Sequence, residues 1–280
     1  MRRVVARAVC QPRGIIMRRY VVIAAGLAAV AVAGCGSSSS SSPAASSTGT
    51  RSTGVSTTGA ITVFAAASLQ GTFTQLGRQF EAAHPGSRVT FSFGPSSGLA
   101  TQIMNGAPAD VFASAAVANM NQVVKAGDAK GPSDFARNKM EVAVPPDNPG
   151  HVSSVSNLAK SSVKVAVCQP QVPCGVVAKE VFKNASISVS PVTQETDVKS
   201  VLTKVELGDV DAGMVYVTDV KAAGSKVKGV KIPSGDNATT TYPIATISKS
   251  SHASTARAFV NYVLSPTGQR VLKAAGFESP

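Results

Sequence analysis

The chain has 280 residues, 44% of them hydrophobic, so it can form one large or two small domains around an apolar core. Its formal charge is +12, but six of its 27 basic residues and none of its acids precede residue 36. The remainder is only mildly basic, and its few aromatic residues are not interleaved with Lys or Arg. This composition argues against nucleic-acid binding.

The N-terminal region has the pattern of an export signal. In "MRRYVVIAAGLAAVAVAGC", residues 17–35, two arginines precede a short apolar run and then small residues that end at Cys35. This pattern predicts a signal peptide over residues 1–34, with Met17 as an alternative start. The ending "VAGC" resembles the lipobox of bacterial lipoproteins, which implies cleavage before Cys35 and a lipid on that residue. A plain cleaved signal is the alternative.

The segment that follows Cys35 is dominated by Ser, Thr and Gly. Such a composition cannot bury a core, so residues 35–59 are expected to be a lipidated Cys followed by a flexible linker. The predicted protein is therefore an extracytoplasmic domain anchored to the cell membrane.

Cys168 and Cys174 lie six residues apart in "VAVCQPQVPCG". In an extracytoplasmic compartment, two cysteines across a Pro-containing turn favour a disulfide. A zinc site is the alternative, but it needs further ligands, and no His is close in the sequence.

Strand-like and helix-like segments alternate after the linker. Leu69, Phe73, Leu76 and Phe80 recur at helical spacing in the first predicted helix. This alternation predicts an α/β fold with a mostly parallel sheet. The predicted strands are 60–66, 88–93, 109–115, 138–146, 163–167, 210–217 and 242–248, and the predicted helices are 68–86, 97–105, 175–185, 197–208 and a pair within 254–277.

Serines open two of the predicted helices directly after strands. Ser68 follows the first strand, and Ser96 and Ser97 follow the second. Free N–H groups and the helix dipole favour an anion at such positions. Helix capping is the simpler role for either serine alone. Two such positions at successive strand ends favour a ligand site, because ligands bind outside the carboxyl ends of parallel strands.

The stretch "GPSSG" also has the G-x-S-x-G form of a hydrolase nucleophile elbow around Ser96. A triad in the required order is available, since Asp197 or Asp219 precedes His252. However, no HGGG-like oxyanion loop is present, and only two predicted strands precede Ser96. A serine hydrolase is therefore the minor alternative.

Several motifs together resemble the molybdate-binding proteins of ABC importers. They are "ITVFAAASL", "FGPSSGLATQI" with "GAPADVF", "PCGVVAKEVF", "DVKSVL" and "GMVYVTD", and the resemblance covers roughly residues 60–278. It implies the type II periplasmic-binding-protein fold, in which two α/β lobes enclose an oxyanion in a cleft.

The resemblance implies five ligand residues. Ser68, Ser96 and Tyr216 match positions that bind through hydroxyl groups. Cys174 and Val198 match positions that bind through backbone N–H groups. It implies neither catalysis, nor a cofactor, nor direct ligands to a metal cation.

The implied ligand suits this donor set. Molybdate is a fully deprotonated tetrahedral dianion that only accepts hydrogen bonds, and all five groups can donate. Phosphate carries a proton near pH 7 and needs an acceptor. Sulfate does not, so a sulfate or other oxyanion site is the alternative, and tungstate is expected to bind. Asp197 is expected to cap its own helix and face away.

The resemblance also implies how the chain is divided. Lobe 1 is expected to contain residues 60–138 and 243–280, and lobe 2 residues 139–242, with a hinge near residues 138 and 242. The expected protein is a monomer whose closed form docks on the permease subunits of an ABC importer.

Overall fold

The computed structural model describes residues 58–280. Its first part is an alternation of strands and helices that ends in a long strand, β4. In chain order the elements are β1 (Gly59–Ala66), a 3-10 turn (Ala67–Leu69), α1 (Gln70–Ala83), β2 (Ser87–Gly94), α2 (Ser96–Met104), β3 (Val111–Ala113), α3 (Val117–Lys125) and β4 (Ala129–Val144).

The second part continues the alternation and ends in two helices. After a 3-10 turn (Val155–Ala159) come β5 (Val165–Cys168), α4 (Pro173–Asn184), β6 (Thr193–Glu195), α5 (Val198–Glu206), β7 (Ala212–Tyr216), α6 (Val217–Ala223), a 3-10 turn (Gly224–Lys226), β8 (Lys228–Val230), β9 (Thr239–Ile247), α7 (Ala253–Leu264) and α8 (Pro266–Ala275). Within residues 58–280, no helix has both the length and the apolar character needed to cross a membrane.

The strands form one mixed sheet in the order β2-β1-β3-β9-β4-β7-β5-β6, with β8 paired to β4. The expectation of a mostly parallel sheet is wrong. Parallel pairing holds within β2-β1-β3 and within β7-β5-β6. Every antiparallel pairing involves β4 or β9, the two long strands that cross between these parallel parts.

Buried apolar side chains form separate clusters on the two sides of the crossing strands. One cluster draws only on residues between 140 and 238. The other two draw on residues 61–136 and 242–277. Phe73, Leu76 and Phe80 of α1 are fully buried in the second group, as their helical spacing predicts. Burial of such side chains stabilises the fold by about 1.5–3 kcal/mol each.

Four elements were not predicted. Helix α3 begins without a side-chain hydrogen bond from the residue before it, so the usual start signal is missing. Helix α6 follows β7 directly, and its first residue, Val217, lay within the predicted strand 210–217. Strands β6 and β8 have three residues each, too few for a periodic pattern.

Candidate functional site

The five predicted ligand residues line one cavity. The ends of β1, β2 and β7 and the first turns of α2, α4 and α5 surround it, and they bring Ser68, Ser96, Cys174, Val198 and Tyr216 to its wall. The space open to the centre of a water molecule is about 20 Å³. A single water needs about 10–15 Å³ on this measure, so the cavity suits one compact group.

Both serines are buried and fixed by hydrogen bonds. Ser68 lies in the 3-10 turn after β1, and its Oγ is 2.9 Å from the hydroxyl of Tyr242. Ser96 is the first residue of α2, and its Oγ accepts a hydrogen bond of 2.9 Å from the N–H of Ala115. Because the Ser96 oxygen already accepts this bond, its proton is free to be donated.

Helix α5 leaves one N–H group for the cavity. The Asp197 carboxylate accepts from the N–H groups of Lys199 (2.8 Å) and Ser200 (3.1 Å), and its carbonyl accepts from Val201. The Val198 N–H therefore remains without an acceptor among residues 58–280. Asp197 caps its helix as expected, and it is also one of the residues that line the cavity.

Helix α4 leaves one N–H group in the same way. Pro173 has no N–H, and the N–H groups of Gly175 and Val176 both donate to the carbonyl of Val172. In the described part of the chain, the Cys174 N–H has no acceptor.

A disulfide between Cys168 and Cys174, with 5.7 Å between their Cα atoms, ties this turn to the end of β5. The two sulfurs are bonded to each other, which argues against the zinc alternative. No group of three His, Cys, Asp or Glu residues that could hold a metal ion occurs in the described region.

Tyr216 ends β7, and its hydroxyl makes no well-formed hydrogen bond within residues 58–280, although the Tyr242 hydroxyl is a neighbour. Its side chain is 1% exposed. Burial raises the pKa of the hydroxyl well above its usual value, so the group stays protonated and able to donate.

A buried ion pair lies behind Tyr216. Asp219 accepts from the Tyr216 N–H at 3.1 Å and pairs with Lys199 Nζ at 2.8 Å. Burial raises the pKa of Asp219, and Lys199 opposes that shift.

The histidine required for a hydrolase is not in the cavity wall. His252 directly precedes α7, where its Nδ1 lies 3.1 Å from Ser251 Oγ and 3.9 Å from an oxygen of Asp110. None of the residues that line the cavity around Ser96 is a histidine. Ser96 therefore has no nearby imidazole base of the kind that a nucleophile elbow uses.

Tyr242 was not among the predicted site residues. This residue is fully buried in β9 and fixes Ser68 from behind the cavity wall. Tyr242 was predicted only as part of a strand, and no local signal pointed to its contact with a residue 174 positions away.

Comparison with known proteins agrees with this architecture. Residues 61–278 match the family model of the bacterial extracellular solute-binding proteins. The molybdate-binding protein ModA of Mycobacterium tuberculosis is 44% identical over 222 residues, which are 79% of this chain and 85% of that protein. A candidate ABC transporter substrate-binding lipoprotein of Bacillus subtilis is 31% identical, over 94% of this chain and 99% of its own.

A solved structure supports the fold. The periplasmic molybdate-binding protein of Azotobacter vinelandii superimposes with a TM-score of 0.70 at 23% identity, over 79% of this chain and 99% of the other. The predicted type II periplasmic-binding-protein fold, with two α/β lobes, is confirmed. The chain belongs to the bacterial extracellular solute-binding protein family, among the relatives of the molybdate-binding proteins.

Proposed function

We propose that this protein captures molybdate outside the cytoplasm and delivers it to an ABC importer. One observation carries the proposal: the cavity wall holds three donors, the N–H groups of Cys174 and Val198 and the Tyr216 hydroxyl, for which residues 58–280 provide no acceptor. A buried donor without a partner costs about 1–3 kcal/mol. A bound anion that accepts from all three recovers this cost.

The character of the wall favours an anion that only accepts. The Ser68 and Ser96 hydroxyls add two donors, and the first turns of α2, α4 and α5 direct their positive ends toward the cavity. Asp197 is the acidic residue in the wall, and its carboxylate is engaged with three donors of its own helix. A protonated anion such as phosphate therefore lacks a good acceptor.

Titration calorimetry of the full chain, purified in a mild detergent, tests the proposal. We expect saturable binding of one molybdate per chain, similar binding of tungstate, and weak binding of phosphate. Heat with sulfate but none with molybdate would replace the proposal with its main alternative, a sulfate-binding protein.

The hydrolase alternative has a separate test. A fluorophosphonate probe labels an activated serine, and we expect no labelling of Ser96 because its proton has no imidazole acceptor in the cavity wall. Labelling that is lost in Ser96→Ala would revive a serine hydrolase.

We further propose that a lipid on Cys35 anchors the protein to the cell membrane. Cys35 and the predicted linker lie outside the described residues, so the support comes from the "VAGC" pattern and the lipoprotein relative. Cys35→Ala is expected to move the protein from the membrane fraction to the medium. Full retention in the membrane would contradict the anchor.

The transport cycle is proposed to depend on closure of two lobes. The cluster of residues 140–238 and the clusters of residues 61–136 and 242–277 support one boundary between residues 136 and 140, near the expected 138–139, and a second between residues 238 and 242, slightly before the expected 242–243. We infer a hinge where β4 and β9 pass this boundary, with the monomeric closed form docking on the permease. Small-angle scattering with and without molybdate tests closure, since the radius of gyration is expected to fall on binding.

A further inference from the structure

The Tyr242 hydroxyl contacts the candidate site without lining it. Tyr242 lies in β9, paired with Ala136 of β4, and its hydroxyl is 2.9 Å from the Oγ of Ser68. Ser68 itself lines the cavity, and Tyr242 stands behind it. Either oxygen can donate in this buried contact, and the Tyr242 hydroxyl also neighbours the Tyr216 hydroxyl and the Asn138 side chain. The direction of the Ser68–Tyr242 hydrogen bond decides what Ser68 offers to a ligand.

The Tyr242 ring is held in place. It is fully buried and packs edge-on against Phe277 at 5.4 Å and Phe135 at 6.1 Å between ring centroids. Burial raises the pKa of its hydroxyl well above the usual value, so the hydroxyl keeps its proton. Ser68 therefore faces a fixed, protonated phenol.

The chemistry of the pair favours one direction of the bond. A phenol is more acidic than an aliphatic alcohol and is the better hydrogen-bond donor, so donation from the Tyr242 hydroxyl to Ser68 Oγ is the favoured arrangement. Once the Ser68 oxygen accepts this bond, its own proton is left to point into the cavity. The opposite arrangement would present only serine lone pairs to the cavity and would repel an anion.

We propose that Tyr242 is a positioning residue that makes Ser68 a dedicated donor to the cavity and thereby discriminates against anions that carry a proton. This inference rests on the proposed binding of an oxyanion. A fully deprotonated anion accepts from Ser68 without penalty. A protonated anion needs an acceptor for its own O–H, and the Tyr242 hydrogen bond withdraws Ser68 from that role.

The test is a double-mutant cycle on the full chain with Tyr242→Phe, Ser68→Ala and the double variant. Molybdate binding is measured by calorimetry, and phosphate binding by its displacement of molybdate. Tyr242→Phe is expected to lower molybdate affinity about fivefold, the worth of one neutral hydrogen bond, and to leave phosphate affinity undiminished. In the Ser68→Ala background, the Tyr242→Phe substitution is expected to alter molybdate affinity by less than about twofold.

Tyr262→Phe is the matched control, because the Tyr262 hydroxyl bonds Gln79 at 3.4 Å and does not line the cavity. It should leave both affinities unchanged. The inference is wrong, and Tyr242 merely structural, if Tyr242→Phe lowers the affinities for molybdate and phosphate equally. It is also wrong if Tyr242→Phe lowers molybdate affinity as much in the Ser68→Ala background as in the wild type. If the wild-type protein binds none of the oxyanions, the proposed function fails and this inference fails with it.

Discussion

Gly175 controls how closely the first turn of α4 approaches the end of β5. A Cβ atom at this position would lie 2.0 Å from the Gln169 carbonyl oxygen and 2.8 Å from that of Cys168. Both are backbone atoms, which cannot turn away as a side chain can. Non-bonded heavy atoms are best separated by about 3.5–4.0 Å. Gly175→Ala therefore forces the turn to move by on the order of 1 Å.

The displaced turn carries the Cys174 N–H with it. A shift of about 1 Å takes a hydrogen bond of about 2.9 Å beyond the range in which it stabilises a ligand. Because a hydrogen bond to a charged group contributes about 1.5–3 kcal/mol, Gly175→Ala is expected to weaken molybdate binding by about tenfold to a hundredfold. Overpacking costs about 1–3 kcal/mol of stability. The better helix propensity of Ala offsets part of that cost, so the fold should persist.

Calorimetry is the suitable assay, because the chain has no tryptophan to report binding by fluorescence. Gly71→Ala is the matched control: Gly71 is also in the first turn of a helix, and a Cβ there meets nothing within 4 Å. The reasoning is refuted if Gly175→Ala binds molybdate as tightly as Gly71→Ala and the wild type.

Three further predictions concern the surroundings of the cavity. Tyr216→Phe should lower anion affinity at least tenfold in calorimetry without lowering the thermal midpoint, because its hydroxyl has no partner within residues 58–280 to lose. Asp219 has a pKa raised by burial, so its contribution to stability falls as pH rises above about 4. The unfolding free energy of Asp219→Asn minus that of the wild type, measured by urea titration, should therefore increase as pH rises above about 4. A difference that does not change with pH would contradict this. Replacing both Cys168 and Cys174 with Ser should lower the unfolding free energy by about 2 kcal/mol, since the closed loop is short.

Local patterns were enough to predict much of the fold. The spacing of Phe73, Leu76 and Phe80 predicted the buried face of α1. Of the serines at two strand ends, Ser96 is the first residue of α2, whereas Ser68 lies in a 3-10 turn two residues before α1 begins. Such features depend on neighbours within a few positions, so one sequence contains them. The five candidate ligand residues came from resemblance to a family, and the structure places them around one cavity.

The remaining features depend on contacts between distant residues. The antiparallel pairing of β4 with β9 joins Ala129 to Ile247, and nothing in either segment specifies its partner. The same applies to Tyr242 and Ser68, which are 174 positions apart. Short strands such as β6 and β8 exist because neighbouring backbone is available to pair with, and this information is absent from their own three residues.

The cavity acquires its donors through the capping of the surrounding helices. In α5, Asp197 satisfies three N–H groups and leaves that of Val198. In α4, Pro173 has no N–H, and the Val172 carbonyl accepts from the next two N–H groups after Cys174. Only the Cys174 N–H of this first turn is left without an acceptor within residues 58–280. Each helix thus presents its positive end through a single directed donor, and a ligand must place an acceptor opposite both. Under the proposed function, these two fixed positions and the three hydroxyls suit a compact anion with acceptors on several sides, such as a tetrahedral oxyanion.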